Sequence, residues 1–171
     1  EAGIDSLKIE GRMKSVHYCA TVAKVYRTAI DTYLKEGKDW YVRPEWIAEL
    51  EKISHRPYTD GFAEGRPDET AQNYGKSTNT QSHDFIGLVL GYNEEEKYVD
   101  LEQRNNFKVG DKVEFCQPKG ELVETVIKKM TDEDGNPIDV APHAQMKVRI
   151  YMDTPLEPYS MMRRECKPKA E

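Results

Sequence analysis

Lys8, Glu10, Arg12 and Lys14 crowd the stretch SLKIEGRMKS, Ser6 to Ser15, and two of them, Lys8 and Glu10, alternate with Leu7 and Ile9. On a strand this spacing turns Lys8 and Glu10 to one face and the two apolar residues to the other. The residue types have usable chemistry. Arg12 and Lys14 suit a clamp for a carboxylate or phosphate, Arg12 because its planar fork grips two oxygens at once. Lys8 would neutralise an anion, and Glu10 would orient the cations or act as a base. A strand that runs directly into a helix is a β/α unit, and inward charges near the carboxyl end of such a strand are where a (β/α)8 barrel keeps its catalytic groups. The plainer alternatives are a half-exposed strand with its charges in water and a Glu10–Arg12 ion pair at a strand end. Lys8, Glu10 and Arg12 are the catalytic candidates, with Lys14 beside them as a substrate contact.

Further along, His55, Arg56 and Tyr58 combine charge and rings in a way that suits RNA contacts by stacking. His55 and Arg56 equally suit the end of a preceding helix, where cations offset its dipole. Arg104, in the polar run Gln103–Asn106, and His143, in Ala141–Pro142–His143, are candidates for a recognition rim, although turn chemistry explains their neighbours as well. His17 and Cys19 lie two apart on a helix and point to different faces, so they are read as structural. Asp132–Gly135 resembles the start of a calcium loop, but its twelfth position is His143 rather than Glu, and no metal site is assigned. Arg163 and Arg164, with Lys167 and Lys169, read as a solvated tail. Neither a G-x-S-x-G elbow nor an H-E-x-x-H helix is present.

Several elements must position these residues. Ser15 to Gly37 predicts a helix, with Ser15 as cap, an apolar face and Gly37 as stop. Pro44 to Ile53 predicts a second, with Pro44 in its first turn and Trp46, Ile47, Leu50 and Ile53 as its stripe. Residues 55–82 read as a linker partly pinned by Tyr58, Phe62 and Tyr74. After His83, six short β segments separated by turn signals predict a small closed or sandwich-like barrel. The fold class is α+β: a strand and helices over 1–54, the linker, a six-stranded β-barrel over 83–165, and a tail over 166–171.

The 171 residues are 37% hydrophobic, enough for a core, and carry a net charge of -6. Residues 83–171 hold 13 basic against 18 acidic side chains, so a free-standing nucleic-acid binder is not indicated, although a local basic patch is not excluded. Cys19, Cys116 and Cys166 lie too far apart for a C-x-x-C hook, and a reducing cytoplasm is the simplest setting. No apolar run reaches the roughly 20 residues of a membrane helix. The first residue is Glu1 rather than Met, and the chain is expected to be the tail of a longer polypeptide.

SLKIEGRMKS, YCATVAKVYRTAID, SHRPYTDGF, LEQRNNFKVGDKVEF, and IDVAPHAQMKVRI with PYSMMRR together resemble the carboxyl-terminal region of the peptidase U32 family, the collagenase-like proteases. The resemblance implies a TIM-type barrel followed by a small β-barrel, with residues 1–37 as the last strand and helix of the first. Lys8 and Glu10 would then be parts of a site whose other walls are missing. Isolated from its neighbours, such a strand cannot satisfy its backbone, and residues 1–12 are expected to fray, pair with another chain or pack irregularly. Relatives of this family are implicated in hydroxylation of tRNA and of rRNA at pyrimidines, and the resemblance implies an iron–sulfur cluster in the full-length parent. None of the three cysteines maps onto its ligands, so the fragment is expected to hold no cofactor and to be inactive alone. The expected role is an accessory β domain that positions a macromolecular substrate, tRNA or rRNA. The alternative is a peptidase in which that domain binds collagen-like protein.

Overall fold

Ser15 opens the first helix through its side chain, which accepts the Tyr18 N–H at 3.2 Å. From there α1 runs over Val16–Glu36, and Gly37, at a φ of 59° that favours glycine, ends it. After a 3-10 turn at Gly37–Asp39, α2 spans Pro44–Glu51. Trp40 ties the two helices together: its indole N–H donates to the Ala29 carbonyl at 3.1 Å, and its ring lies 6.0 Å from that of Trp46.

The computed structural model describes residues 3–59, 65–66 and 80–166. The rings of Phe62 and Tyr74, and Lys167 and Lys169, lie outside the described residues. The chain divides into two compact units, Glu1–Leu50 and Glu51–Glu171.

The opening stretch, expected to fray or pack irregularly without neighbouring strands, forms no strand. Residues 3–11 carry no regular structure, and Leu7 and Ile9 are 58% and 44% exposed. A strand needs neighbours to hydrogen-bond its backbone, and no strand is described anywhere in Glu1–Leu50.

Among the described residues of Glu51–Glu171, nine strands replace the expected six: β1 His83–Asn93, β2 Tyr98–Gln103, β3 Phe107–Lys108, β4 Lys112–Cys116, β5 Val123–Val126, β6 Met130–Asp132, β7 Val140–Ala141, β8 Lys147–Tyr151 and β9 Met161–Glu165. Seven form one antiparallel sheet in the order β5-β4-β9-β1-β2-β8-β6, and β3 pairs with β7. With β5 and β6 at its margins the sheet is a curled half-barrel rather than a ring closed by hydrogen bonds. The segment ELVETVIKKM, expected as one strand, yields β5 and β6 because Ile127 turns inward between them. It is fully buried, and its N–H and C=O bond Asp111 and Gly110 at 3.0 and 2.8 Å.

One face of the sheet makes the core, with Val89, Val99, Leu101, Phe115, Ile150 and Met162 essentially excluded from water. β1 is long enough to serve both β2 and β9, and it bends at two irregularities, between Phe85 and Gly87 and between Val89 and Gly91. Gly87 sits where β1 presses on β2: a Cβ there would lie 2.6 Å from the Leu101 Cδ2.

α2 stops two residues before the predicted Ile53 because the chain there joins the sheet. The Lys52 carbonyl accepts the His83 N–H at 3.3 Å, and Ile53 is 1% exposed. His55 and Thr80 then bond each other in both directions, at 3.1 and 2.9 Å, as an antiparallel bridge between the two ends of the segment read as a linker.

Candidate functional site

The face of the sheet opposite the core carries its charges. Along β2 and β8 the register pairs Tyr98 with Tyr151, Asp100 with Arg149 and Glu102 with Lys147, while Val99, Leu101, Val148 and Ile150 fill the core side. Each of these outer residues is held. Glu102 accepts from both Lys147, at 2.5 Å, and Arg104, at 2.6 Å. The Lys147 hydrogen bond is the main reason the Glu102 carboxyl titrates below its ordinary 4.5. The Arg149 guanidinium lies 5.1 Å over the Tyr98 ring, with its Nε 3.7 Å from Asp100. Lys129 lies 4.1 Å over the Tyr151 ring.

Across the other half of this face, β4 and β9 place a buried charge cluster. Glu114 stands directly opposite Arg163 in the register and accepts from its Nε; the Arg163 side chain is 0% exposed. Lys52 approaches both Glu114 oxygens, at 3.0 and 3.2 Å. His83 brings its Nε2 to 3.6 Å from the same carboxylate, with its Nδ1 2.9 Å from the Ser82 hydroxyl. Burial pushes His83 below its ordinary 6.5; the Glu114 charge opposes that shift, and the Lys52 and Arg163 charges add to it. An open cavity of about 450 Å³ borders this cluster, lined by His83, Lys112, Glu114, Glu124, Arg163 and Glu165 among others. Its lining mixes both signs of charge, so it selects no ionic ligand by itself.

The placement of Arg163 and Arg164 corrects the expectation of a solvated tail. They lie on β9, between β1 and β4, and Arg164 bonds Asp111 at 2.5 Å. Two methionines followed by two arginines show no alternation, so the segment offered no strand signal. The single hint was Glu114, a carboxylate flanked by Val113 and Phe115 that needed a cation opposite it.

The other candidates are spread over both units. Lys8, Glu10, Arg12 and Lys14 are exposed. Glu10 accepts the backbone N–H of Arg12 at 2.9 Å, and Lys14 lies 5.1 Å from the centre of the Tyr18 ring. His55 and Tyr58 stack with ring centres 4.4 Å apart and planes 3° from parallel, and Arg56 beside them is exposed. Arg104 is the one candidate that joins the charged face of β2 and β8. His143 is exposed on the turn before β8, where its carbonyl accepts the Met146 N–H at 3.1 Å. Asp132 closes its turn internally. Its oxygens take the N–H groups of Asp134 and Asn136 and the Asn136 side-chain amide, and that amide above all lowers its carboxyl below 3.8.

The cysteines do not fit an iron–sulfur cluster. The Cys19 thiol meets the Gly11 carbonyl at 3.7 Å, the Cys166 thiol meets Asp84 at 3.4 Å, and Cys116 is buried in β4. Among the described residues no three His, Cys, Asp or Glu side chains gather as a metal site. No described helix is long and apolar enough to cross a membrane.

Residues 81–163 match the peptidase family U32 C-terminal domain, and residues 1–73 match peptidase family U32. The chain is 45% identical over 164 residues to tRNA hydroxylation protein P1 of Bacillus subtilis, covering 96% of this chain and 39% of that protein. It is 37% identical over 141 residues to tRNA hydroxylation protein P of Haemophilus influenzae, covering 81% and 30% respectively. The chain thus spans two fifths or less of either relative's length. A solved C-terminal domain of a Geobacillus thermoleovorans protein named as a U32 peptidase is 47% identical, covering 47% of this chain and 99% of that one, with a TM-score of 0.46.

Proposed function

Because the chain belongs to peptidase family U32, we propose that it works within a longer tRNA-hydroxylating protein, in which the β-rich unit holds transfer RNA for a catalytic barrel. The observation that carries this reading is the 45% identity, across 96% of the chain, to a relative named tRNA hydroxylation protein P1. In this reading Ser6–Ser15 and α1 are the last β/α step of that barrel, and Lys8, Glu10 and Arg12 come near the reacting groups only when its other strands flank them. An iron–sulfur cluster would supply the oxidative chemistry, held by residues outside this chain. The chain alone turns over no substrate, and its setting is the cytoplasm.

Nucleoside mass analysis of tRNA from cells lacking the full-length protein tests the reading. A hydroxylated pyrimidine nucleoside of tRNA should disappear and return on complementation. An unchanged nucleoside profile overturns the proposal. Cleavage of gelatin by the purified full-length protein, with tRNA modification unaffected by its loss, would install the peptidase alternative instead.

A further inference from the structure

We infer that the outer face of β2 and β8, with Lys129 at its margin, is a contact surface for an RNA phosphate backbone. The inference rests on the RNA reading above and adds the place of contact. Four cations, Arg104, Lys129, Lys147 and Arg149, share this face with two carboxylates, Asp100 and Glu102. That local excess of positive charge stands out on a chain whose net charge is -6. One carboxylate, Glu102, serves two cations, and Lys129 sits against a ring rather than an acid. The cationic heads therefore keep attraction to spare for an added anion.

They are also accessible and held in place. The side chains of Lys147, Arg104 and Arg149 are 43%, 35% and 30% exposed. Tyr98 and Tyr151, with ring centres 5.7 Å apart, hold Arg149 and Lys129 by their faces. A lysine or arginine fixed this way loses less conformational freedom when a phosphate arrives. The contact is to phosphate and not to a base edge, so the surface binds without reading sequence. At one end the strip stops at Glu94, Glu95 and Glu96 in the turn between β1 and β2, whose charges repel a continuing backbone.

Titration of fluorescent tRNA with the 171-residue chain across a series of salt concentrations tests this. K129E/K147E alters two exposed side chains and leaves the core intact, which circular dichroism verifies. It should weaken binding by about tenfold or more and flatten the plot of log K against log salt by roughly 1.5 to 2 units, two phosphate contacts being lost. K112E/K119E, an equal charge change elsewhere on the unit, should alter both much less. Equal losses in the two variants, or none in either, overturn the surface while leaving the tRNA reading to the nucleoside analysis. Failure of the parent chain to bind tRNA at low salt also overturns it, as does retention of gelatin through these same lysines.

Discussion

Lys52 and Glu114, 62 positions apart in the chain, meet with the ammonium 3.0 and 3.2 Å from the two carboxylate oxygens, and the Arg163 Nε donates to the same carboxylate. The carboxylate is therefore the shared anion of two cations, one of them wholly buried. Removing it deletes one partner of a buried ion pair, a change that costs about 3 to 5 kcal/mol. Glu114→Ala should lower unfolding stability by that order, and Lys52→Met, at a partly exposed position, by about 1 kcal/mol or less. Urea unfolding checks both. A Glu114→Ala loss no larger than that of Lys52→Met would mean that the Glu114–Arg163 pair contributes little to stability.

His83 gives this region a pH dependence. Burial weakens its hold on a proton in the folded chain, so the unfolded chain takes up the proton first as pH falls through 6.5. Stability should be full above about 6.5 and decline toward about 5, the range over which histidine titrates. His83→Gln should flatten that part of the stability profile, measured by thermal unfolding at each pH. A variant profile parallel to the parent's would remove His83 as the cause.

Gly87 has no room for a side chain, since its Cβ would fall 2.6 Å from one Leu101 methyl and 3.0 Å from the other. Leu101 is buried at 1% exposure and cannot swing into water. Gly87→Ala should cost about 1 to 3 kcal/mol as overpacking. Leu101→Val in the same chain should recover part of the loss, a coupling that a double-mutant cycle in denaturant would read.

Ser15→Ala removes the side-chain acceptor of the Tyr18 N–H. The expected loss is about 1 kcal/mol, confined to α1. Hydrogen exchange should accelerate in the first turn of α1 and stay unchanged in β2 and β9.

How far the fold was legible depended on whether the information was local. The limits of α1 could be read because Ser15 and Gly37 act within a turn of themselves. The β-rich half was legible as a class, but β9 was not, because what makes Met161–Glu165 a strand is Glu114 and Phe85 across the sheet. The same distance hid Arg163: a buried arginine is defined by a partner 49 positions away. The opening stretch behaves as an isolated strand should: its alternating pattern is real, but nothing described in Glu1–Leu50 offers the hydrogen bonds a strand requires. Of the candidate site residues, Arg104 joins a cluster through Glu102, which in turn meets Lys147 from 45 positions away, and His55 meets Tyr58 through a stack that spacing alone could not show.

The two-way bonding of His55 and Thr80, and the bond from the His83 N–H to the Lys52 carbonyl, are made by the backbone alone. Side-chain replacement at these four positions therefore leaves the entrance to β1 latched.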